Sequence, residues 1–411
     1  MRVPQHHVLA SDAPPATGRA AKLLAWSQRP AGAIGVALAL LAIGGALAPL
    51  PAMRNFDLAL LDAKFALLSS YAPLPAADSI AIVGIDEPSL DALAQPQSLL
   101  LRPLADALTG IAAAKPRAIG LDIVLPDRSY DAFAPGSDNA MVAALLGARR
   151  DVPIVLGITT RDDGSVREIL PAVRAAAGRS GLALLPVDPD GRVRRFDERL
   201  DVEEEAVPTL VGELARALDL DVAYGLIQYA LGSGYDYVPL RQVLDWTRSG
   251  DDAALARAFG NRVVMLGAVL PYEDRFAQPV PLARWDEVRD VPGVLVHAQA
   301  LRSLEAGAIV RPAGVAAQLL LMAAAAALWF IPTWHRRVLA LVVFVNLAFV
   351  ASLFALRQGI DLELGMSFRI ALAAVVLKSA LEAWQVRQER SRLRAQFGGY
   401  VSPAEIGRAH V

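Results

Sequence analysis

Cysteine is missing from all 411 residues, which excludes disulfides, thiolate zinc sites, iron–sulfur clusters and cysteine nucleophiles together. Charge of one sign is missing too. Forty basic residues against 42 acidic ones leave a formal charge of −2, so no global field exists to draw in nucleic acid, and no nucleic-acid partner is expected. Histidine is scarce at five residues, and no second His stands at ligand spacing from His297. A glycine-rich phosphate loop, a nucleophile–His–acid arrangement and a zinc helix motif are all absent from the sequence.

What is abundant is apolar surface. Hydrophobic residues make up 55% of the chain and the mean hydropathy is +0.39, values that place part of it in a lipid bilayer. Residues 1–30 carry Arg2, Arg19, Lys22 and Arg29 against Asp12 alone, and their composition predicts a disordered, positively biased tail. Ala31 to Leu50 is uncharged and long enough to span a hydrocarbon core of about 30 Å at about 1.5 Å per residue. Ala46-Leu47-Ala48 imitates a signal-peptide cleavage site, but the apolar run is too long and its leader too extended, so an uncleaved anchor is expected. Further charge-free runs cover Gly314 to Ile331 and Val338 to Leu356, and a fourth, Leu364 to Trp384, is interrupted by Arg369 and Lys378. Those two charges lie toward opposite ends of that run and are expected to snorkel outward.

Four crossings give a self-consistent topology. The basic tail lies inside, Arg54 to Arg311 outside, and the short loop ending in His335-Arg336-Arg337 inside. The helix after the fourth crossing meets Arg387, Arg390, Arg392 and Arg394, again inside. Its heptad register is poor, which predicts a continuing helix over residues 385–403 rather than a coiled coil.

Between Arg54 and Arg311 the composition is that of a soluble domain. Val- and Ile-rich runs at Ser79 to Ile85, Ala118 to Val124, Val152 to Ile158 and Arg262 to Val269 alternate with helical stretches such as Leu100 to Ala114 and Thr209 to Leu218. Runs without period-two alternation are strands covered on both faces, so the fold class expected is an α/β domain, mainly a parallel sheet with flanking helices, beside an all-α membrane region of four helices. Gly181 to Leu200, with the turn Asp188-Pro189-Asp190-Gly191, reads as an antiparallel hairpin. Alternation there points Arg192 and Arg194 to one solvated face and Arg195 to the other. Glu203-Glu204-Glu205 reads as a solvated loop.

Ligands of parallel α/β sheets sit beyond the carboxyl ends of the strands. Asp86 with Glu87, and Asp122, fall at such ends, and on neighbouring strands their carboxylates would converge to hold a metal ion or a cationic ligand. The same aspartates are also suited to cap the next helix or hold a loop by accepting backbone N–H bonds. Asp127 reads as a turn residue. His297, in an apolar run entering a helix, reads as a packing residue.

The segments Val83-Gly84-Ile85-Asp86-Glu87-Pro88-Ser89-Leu90, Ala118-Ile119-Gly120-Leu121-Asp122, Asp190-Gly191-Arg192-Val193-Arg194-Arg195, Arg262 to Gly267 and Pro292-Gly293-Val294-Leu295-Val296-His297-Ala298 occur in order between one leading apolar span and three trailing ones. Together they resemble the type-two CHASE domain, an extracellular sensor of bacterial receptors, over about Phe56 to Arg311. The resemblance implies a multi-pass receptor of the bacterial inner membrane, its sensor extracytoplasmic and both termini cytoplasmic. It implies an unknown small-molecule or ionic ligand outside, and an output domain inside. That output is most often a class III adenylate or guanylate cyclase, which would bring Mg²⁺, a nucleoside triphosphate and a homodimer. A histidine kinase or a diguanylate cyclase is a less frequent output, and Ala395 to Pro403 looks like the linker before the cyclase. The tryptophan-bearing segment usual after the first strand is replaced by Gln95-Pro96-Gln97-Ser98-Leu99-Leu100-Leu101-Arg102, so pocket details do not carry over. The chain stops where the cyclase would start, and residues 404–411 look like translated adapter, so a truncated gene with no catalytic residue or cofactor of its own is expected. A membrane-anchored extracytoplasmic enzyme using the acidic pair is the competing class, and the basic helix leading into the cytoplasm argues against it. A transporter fares worse, for want of repeat symmetry and paired intramembrane charges.

Overall fold

The computed structural model describes residues 19–95, 99–272, 274–285 and 290–398. The Val- and Ile-rich runs form the strands of one seven-stranded sheet: β1 (Ile80–Ile85), β2 (Ala118–Asp122), β3 (Ile154–Thr160), β4 (Val166–Arg167), β5 (Ser180–Leu182), β6 (Tyr237–Pro239) and β7 (Val263–Ala268). β6, β1, β7, β2 and β3 lie side by side in that order, all parallel, and β3 also pairs with β5 in parallel and with β4 antiparallel. Every residue of β1 and β2 is buried, as is all of β7 except Ala268. This is why their sequences show apolar runs instead of alternation.

Two apolar layers cover the sheet. One is built by the helices Leu101–Ala113, Ser137–Ala148 and Leu240–Ser249, with Leu104, Leu108, Met141, Leu145 and Val243 buried against Val83, Ile119 and Leu266. The other is built by Leu210–Ala217, Gly293–Glu305 and the second half of Pro51–Tyr71, with Phe65, Leu214, Val294 and Leu301 against Ile82 and Met265. The Gly293–Glu305 helix is buried along twelve residues, Gly293 to Leu304, and is therefore a core helix, one that carries His297, Gln299, Arg302 and Ser303 into the interior with it. At about 25 cal/mol per Å² of apolar surface, each fully buried Leu or Phe in these layers contributes roughly 1.5–3 kcal/mol.

The stretch Gly181 to Leu200 is less regular than a hairpin. A single bridge, Val187 to Val193, closes the Asp188–Gly191 turn. Arg195–Phe196 then pairs with Gly225–Leu226, and Arg199–Val202 forms its own hairpin with Glu205–Pro208. Glu203 and Glu204 make that second turn, both with positive φ (51° and 68°), and both are exposed.

The chain divides into this sheet unit, Leu58–Ala313 with Ser352–Leu362, and a helical unit of the remaining residues. In the helical unit, Arg19–Ser27 is a helix within the segment expected to be a disordered tail. Residues 1–18 lie outside the described residues, as do the end of the linker after Gly398 and residues 404–411. Among the described residues two helices, Pro30–Leu47 and Trp334–Arg357, are long and apolar enough to cross a membrane, where four were expected. Val315–Phe330 is a shorter apolar helix. The fourth candidate is the first part of a 34-residue helix, Gly365–Gly398, whose polar second half and internal charges dilute its apolar character.

Among the described residues of this unit, Arg369 and Arg337 form ion pairs. Arg369 does not snorkel: it is buried and donates to both oxygens of Asp57 at 2.9 Å. Arg337, expected in a loop, lies in the first turn of its helix and is fully buried, donating to Ser379 at 2.9 Å and Glu382 at 2.7 Å. Each pair joins a residue of the Gly365–Gly398 helix to one outside the four expected spans, Asp57 or Arg337. The reason is economic in the physical sense: a buried guanidinium without a carboxylate costs several kcal/mol, so the helices that carry one supply the other.

Candidate functional site

Asp86 and Asp122 do stand at the carboxyl ends of parallel strands, β1 and β2, but β7 runs between them, with Ile85 beside Ala268 and Gly267 beside Asp122. Two strand spacings put the backbones roughly 10 Å apart. The condition for a shared carboxylate mouth, neighbouring strands, is not met. No group of three metal-ligating side chains exists among the described residues.

Asp86 is a helix cap. Its Oδ1 accepts from the backbone N–H of Ser89 at 3.0 Å and from the Ser89 hydroxyl, closing the first turn of the Glu87–Leu93 helix. Its Oδ2 accepts from the Tyr237 hydroxyl at 3.3 Å, and Tyr237 packs edge-on against Trp285 at 4.6 Å between ring centres. Partial burial, with Asp86 adding to it, raises the Tyr237 phenol above its usual value. Glu87 is exposed at the first helical position, where its charge favours the helix dipole.

Asp122 is different. It is 8% exposed, its Oδ2 has no partner, and its Oδ1 lies 3.6 Å from Nε2 of His297. That is too far for a hydrogen bond. His297, on the Gly293–Glu305 helix, is 2% exposed, and its Nδ1 has no partner either. Burial pushes the Asp122 carboxyl up to about 7. Burial pushes the His297 imidazole down to about 4, with Asp274 and the Ala183 carbonyl pulling weakly the other way. Near neutral pH the imidazole is uncharged and the carboxyl sits at its midpoint, so the pair holds a proton that responds to small changes in its surroundings.

The structure also contains a charged centre that alternation along a strand could not reveal. Arg194 is fully buried. Its Nε donates to Asp62 at 2.7 Å, and its terminal nitrogens donate to Asp188 at 2.8 Å and to Asp190 at 2.8 and 2.6 Å. Burial works against this charge, but the hydrogen bonds it donates to Asp190, Asp62 and Asp188 outweigh it and hold the guanidinium above its ordinary value. Arg194 in turn keeps Asp190 below the usual carboxylate range. Arg192 also binds Asp62. The arginines expected on a solvated face instead tie the Asp188–Gly191 turn to the Pro51–Tyr71 helix. On that same helix Lys64 is buried against Asp361 at 2.5 Å, in the segment joining the Trp334–Arg357 and Gly365–Gly398 helices. The signal present in the sequence was the spacing of Asp188 and Asp190 from Arg194; Asp62 lies too far along the chain to be foreseen.

The parallel sheet with its two helical layers is preceded and followed along the chain by apolar helices. The family model described as the CHASE2 domain matches residues 34–346. The chain belongs to the CHASE2 domain family. No curated protein and no solved structure matches it. CHASE2 domains are extracellular sensors, and a sensor role with apolar helices at both ends of the domain fits a membrane signal receptor. The match is longer than the sheet unit, since it begins inside Pro30–Leu47 and ends inside Trp334–Arg357.

Proposed function

We propose that this CHASE2 chain is the sensing and membrane part of a receptor that regulates a cytoplasmic nucleotide cyclase joined to its carboxyl end, the whole working as a homodimer. The observation that carries the reading is how the sheet unit holds the segments leading out of it. Asp62 and Lys64, on the helix that follows the first apolar helix, are bound by Arg194 within the sheet unit and by Asp361 between the last two helices. A ligand that favours one arrangement of these buried pairs over another would bias both exits at once, and differential affinity is the only way binding can shift such an equilibrium. Asp86, Glu87 and Asp122 are kept as candidate ligand-responsive residues, with Asp122 and His297 the stronger pair because their polar atoms are unsatisfied. Mg²⁺ and a nucleoside triphosphate belong to the cyclase, and no residue of this chain is assigned to them.

The receptor reading needs four crossings of a bacterial inner membrane, so that both ends lie in the cytoplasm. Val315–Phe330, at about 1.5 Å per residue, covers roughly 24 Å and crosses with local thinning of the bilayer. The first part of Gly365–Gly398 crosses with Arg369 neutralised by Asp57, and its arginine-rich continuation reaches the cytoplasm. Reporter fusions after Arg29, Ala134, Arg337 and Ala395 are expected to read inside, outside, inside, inside. An outside signal at Ala395 would remove the fourth crossing and the cyclase reading together.

A further inference from the structure

Arg302 is a buried cation whose charge no carboxylate answers among the described residues. It sits on the Gly293–Glu305 helix and is 7% exposed. All of its hydrogen bonds are made by Nη1, to the Ser233 carbonyl at 2.9 Å, to Gln299 Oε1 at 3.3 Å and to the Leu231 carbonyl at 3.5 Å. Nε is buried without a partner, and among the described residues Nη2 has no hydrogen bond or ion pair. Glu305, one turn further along, is committed to Arg117 at 2.6 Å and to the Ser79 hydroxyl. The guanidinium carbon lies 3.8 Å from the centre of the Tyr235 ring, and the Tyr235 hydroxyl is in turn fixed by Gln299 at 3.1 Å.

Arg302 lines a cavity of about 440 Å³ beside β1 and β6. Its wall includes Arg262 and Arg284 along with Asp78 and Asp236, three arginines to two aspartates. The two aspartates are held by Arg262 at 2.7 Å and Arg284 at 2.8 Å, leaving Arg302 as the uncompensated charge. The backbone loop Gly232-Ser233-Gly234 closes over it. Gly232 has φ +74°, and a Cβ there would come within 2.7 Å of Arg302 Nη1. The loop thus requires glycine both for its backbone and for the approach of the cation.

We propose that this cavity binds a small oxyanion, a carboxylate or a phosphate group, which takes a hydrogen bond from the free Nη2 of Arg302 and pairs with its charge, while the Tyr235 ring stacks on one face of the guanidinium. A charged guanidinium N–H gives carboxylate and phosphate oxygens a stronger bond than a neutral donor does. A desolvated guanidinium is costly until a counter-charge arrives, and the ring beneath it offsets only part of that cost. The site is separate from Asp86 and Asp122. It extends the receptor reading by naming a ligand chemistry, and because binding is measured on the purified chain without an output domain, failure of either idea leaves the other standing.

The test is calorimetric titration of the full chain in nanodiscs with acetate, succinate and inorganic phosphate, with chloride as the control anion. At least one oxyanion is expected to bind. Succinate or acetate without phosphate would assign a carboxylate ligand, and phosphate alone a phosphate ligand. Arg302→Lys keeps the charge but loses the Nη2 donor, and should weaken binding by roughly tenfold to a hundredfold. If Arg302 variants do not fold, Ala76→Glu serves instead. Ala76 lines the same cavity, and the added carboxylate is expected to pair with Arg302, leaving no room for added ligand. Absence of binding by all three oxyanions, or binding that Arg302→Lys and Ala76→Glu leave unchanged, would overturn the proposal.

Discussion

Replacing Asp122 by Asn tests the buried carboxyl–imidazole pair through its pH dependence. In the folded protein the Asp122 carboxyl titrates near 7 against an ordinary 3.8, so the folded state keeps a proton that the unfolded chain releases across that interval. Stability from this group is therefore full below pH 3.8 and falls as pH rises toward 7. At about 1.4 kcal/mol per pH unit over about three units, the loss is on the order of 4 kcal/mol as an upper bound. His297 has the opposite sign. Its imidazole titrates near 4 against an ordinary 6.5, so the unfolded chain takes up the proton first, and stability rises with pH between 4 and 6.5. The two slopes cancel over that window in the native protein, and only the decline due to Asp122 remains between about 6.5 and 7. Asp122→Asn, of nearly equal volume, removes the decline and leaves the rise. Calorimetric melting from pH 4 to 8 should show the variant close to the native protein at pH 4 and more stable by roughly 2–4 kcal/mol at pH 8. A variant curve parallel to that of the native protein, or a variant weaker at pH 8 by as much as at pH 5, would refute the reasoning.

Arg194→Met leaves Asp62, Asp188 and Asp190 without their shared cation, and a loss of roughly 3–5 kcal/mol is expected in urea unfolding; a loss below about 1 kcal/mol would mean that water replaces the guanidinium. Asp86→Ala removes the cap of the Glu87–Leu93 helix and the acceptor of the Tyr237 hydroxyl, for about 1–2 kcal/mol in the same assay. Glu204→Gly should stabilise the Arg199–Pro208 hairpin by up to about 1 kcal/mol, because φ of 68° is strained for glutamate and free for glycine; an unchanged or lower melting temperature would count against strain there.

The four main strands, the helices between them and the apolar helices at either end were legible in the sequence alone. Each is announced by a local signal: uninterrupted Val and Ile for strands buried on both faces, Leu and Ala at helical spacing, Thr209 and Asp86 ahead of helices they cap. The family was legible as well, since its segments keep their order along the chain. Strand order was not. Local sequence has no means of saying that β7, which comes last, is inserted between β1 and β2, and that insertion separates Asp86 from Asp122. Burial of charge was not legible either. Arg194 and Arg192 alternate as residues of a solvated strand would, and nothing beside Arg302 in its helix marks it as unpaired; His297, read as a packing residue, is the one whose burial was legible. Whether such a group is solvated, paired or left unanswered depends on partners far along the chain, 132 residues away for Asp62 and Arg194 and 312 for Asp57 and Arg369. Tertiary structure alone decides it, because the free energy of a buried charge is set by what surrounds it in space, while the signals in a sequence are set by what stands next along the chain.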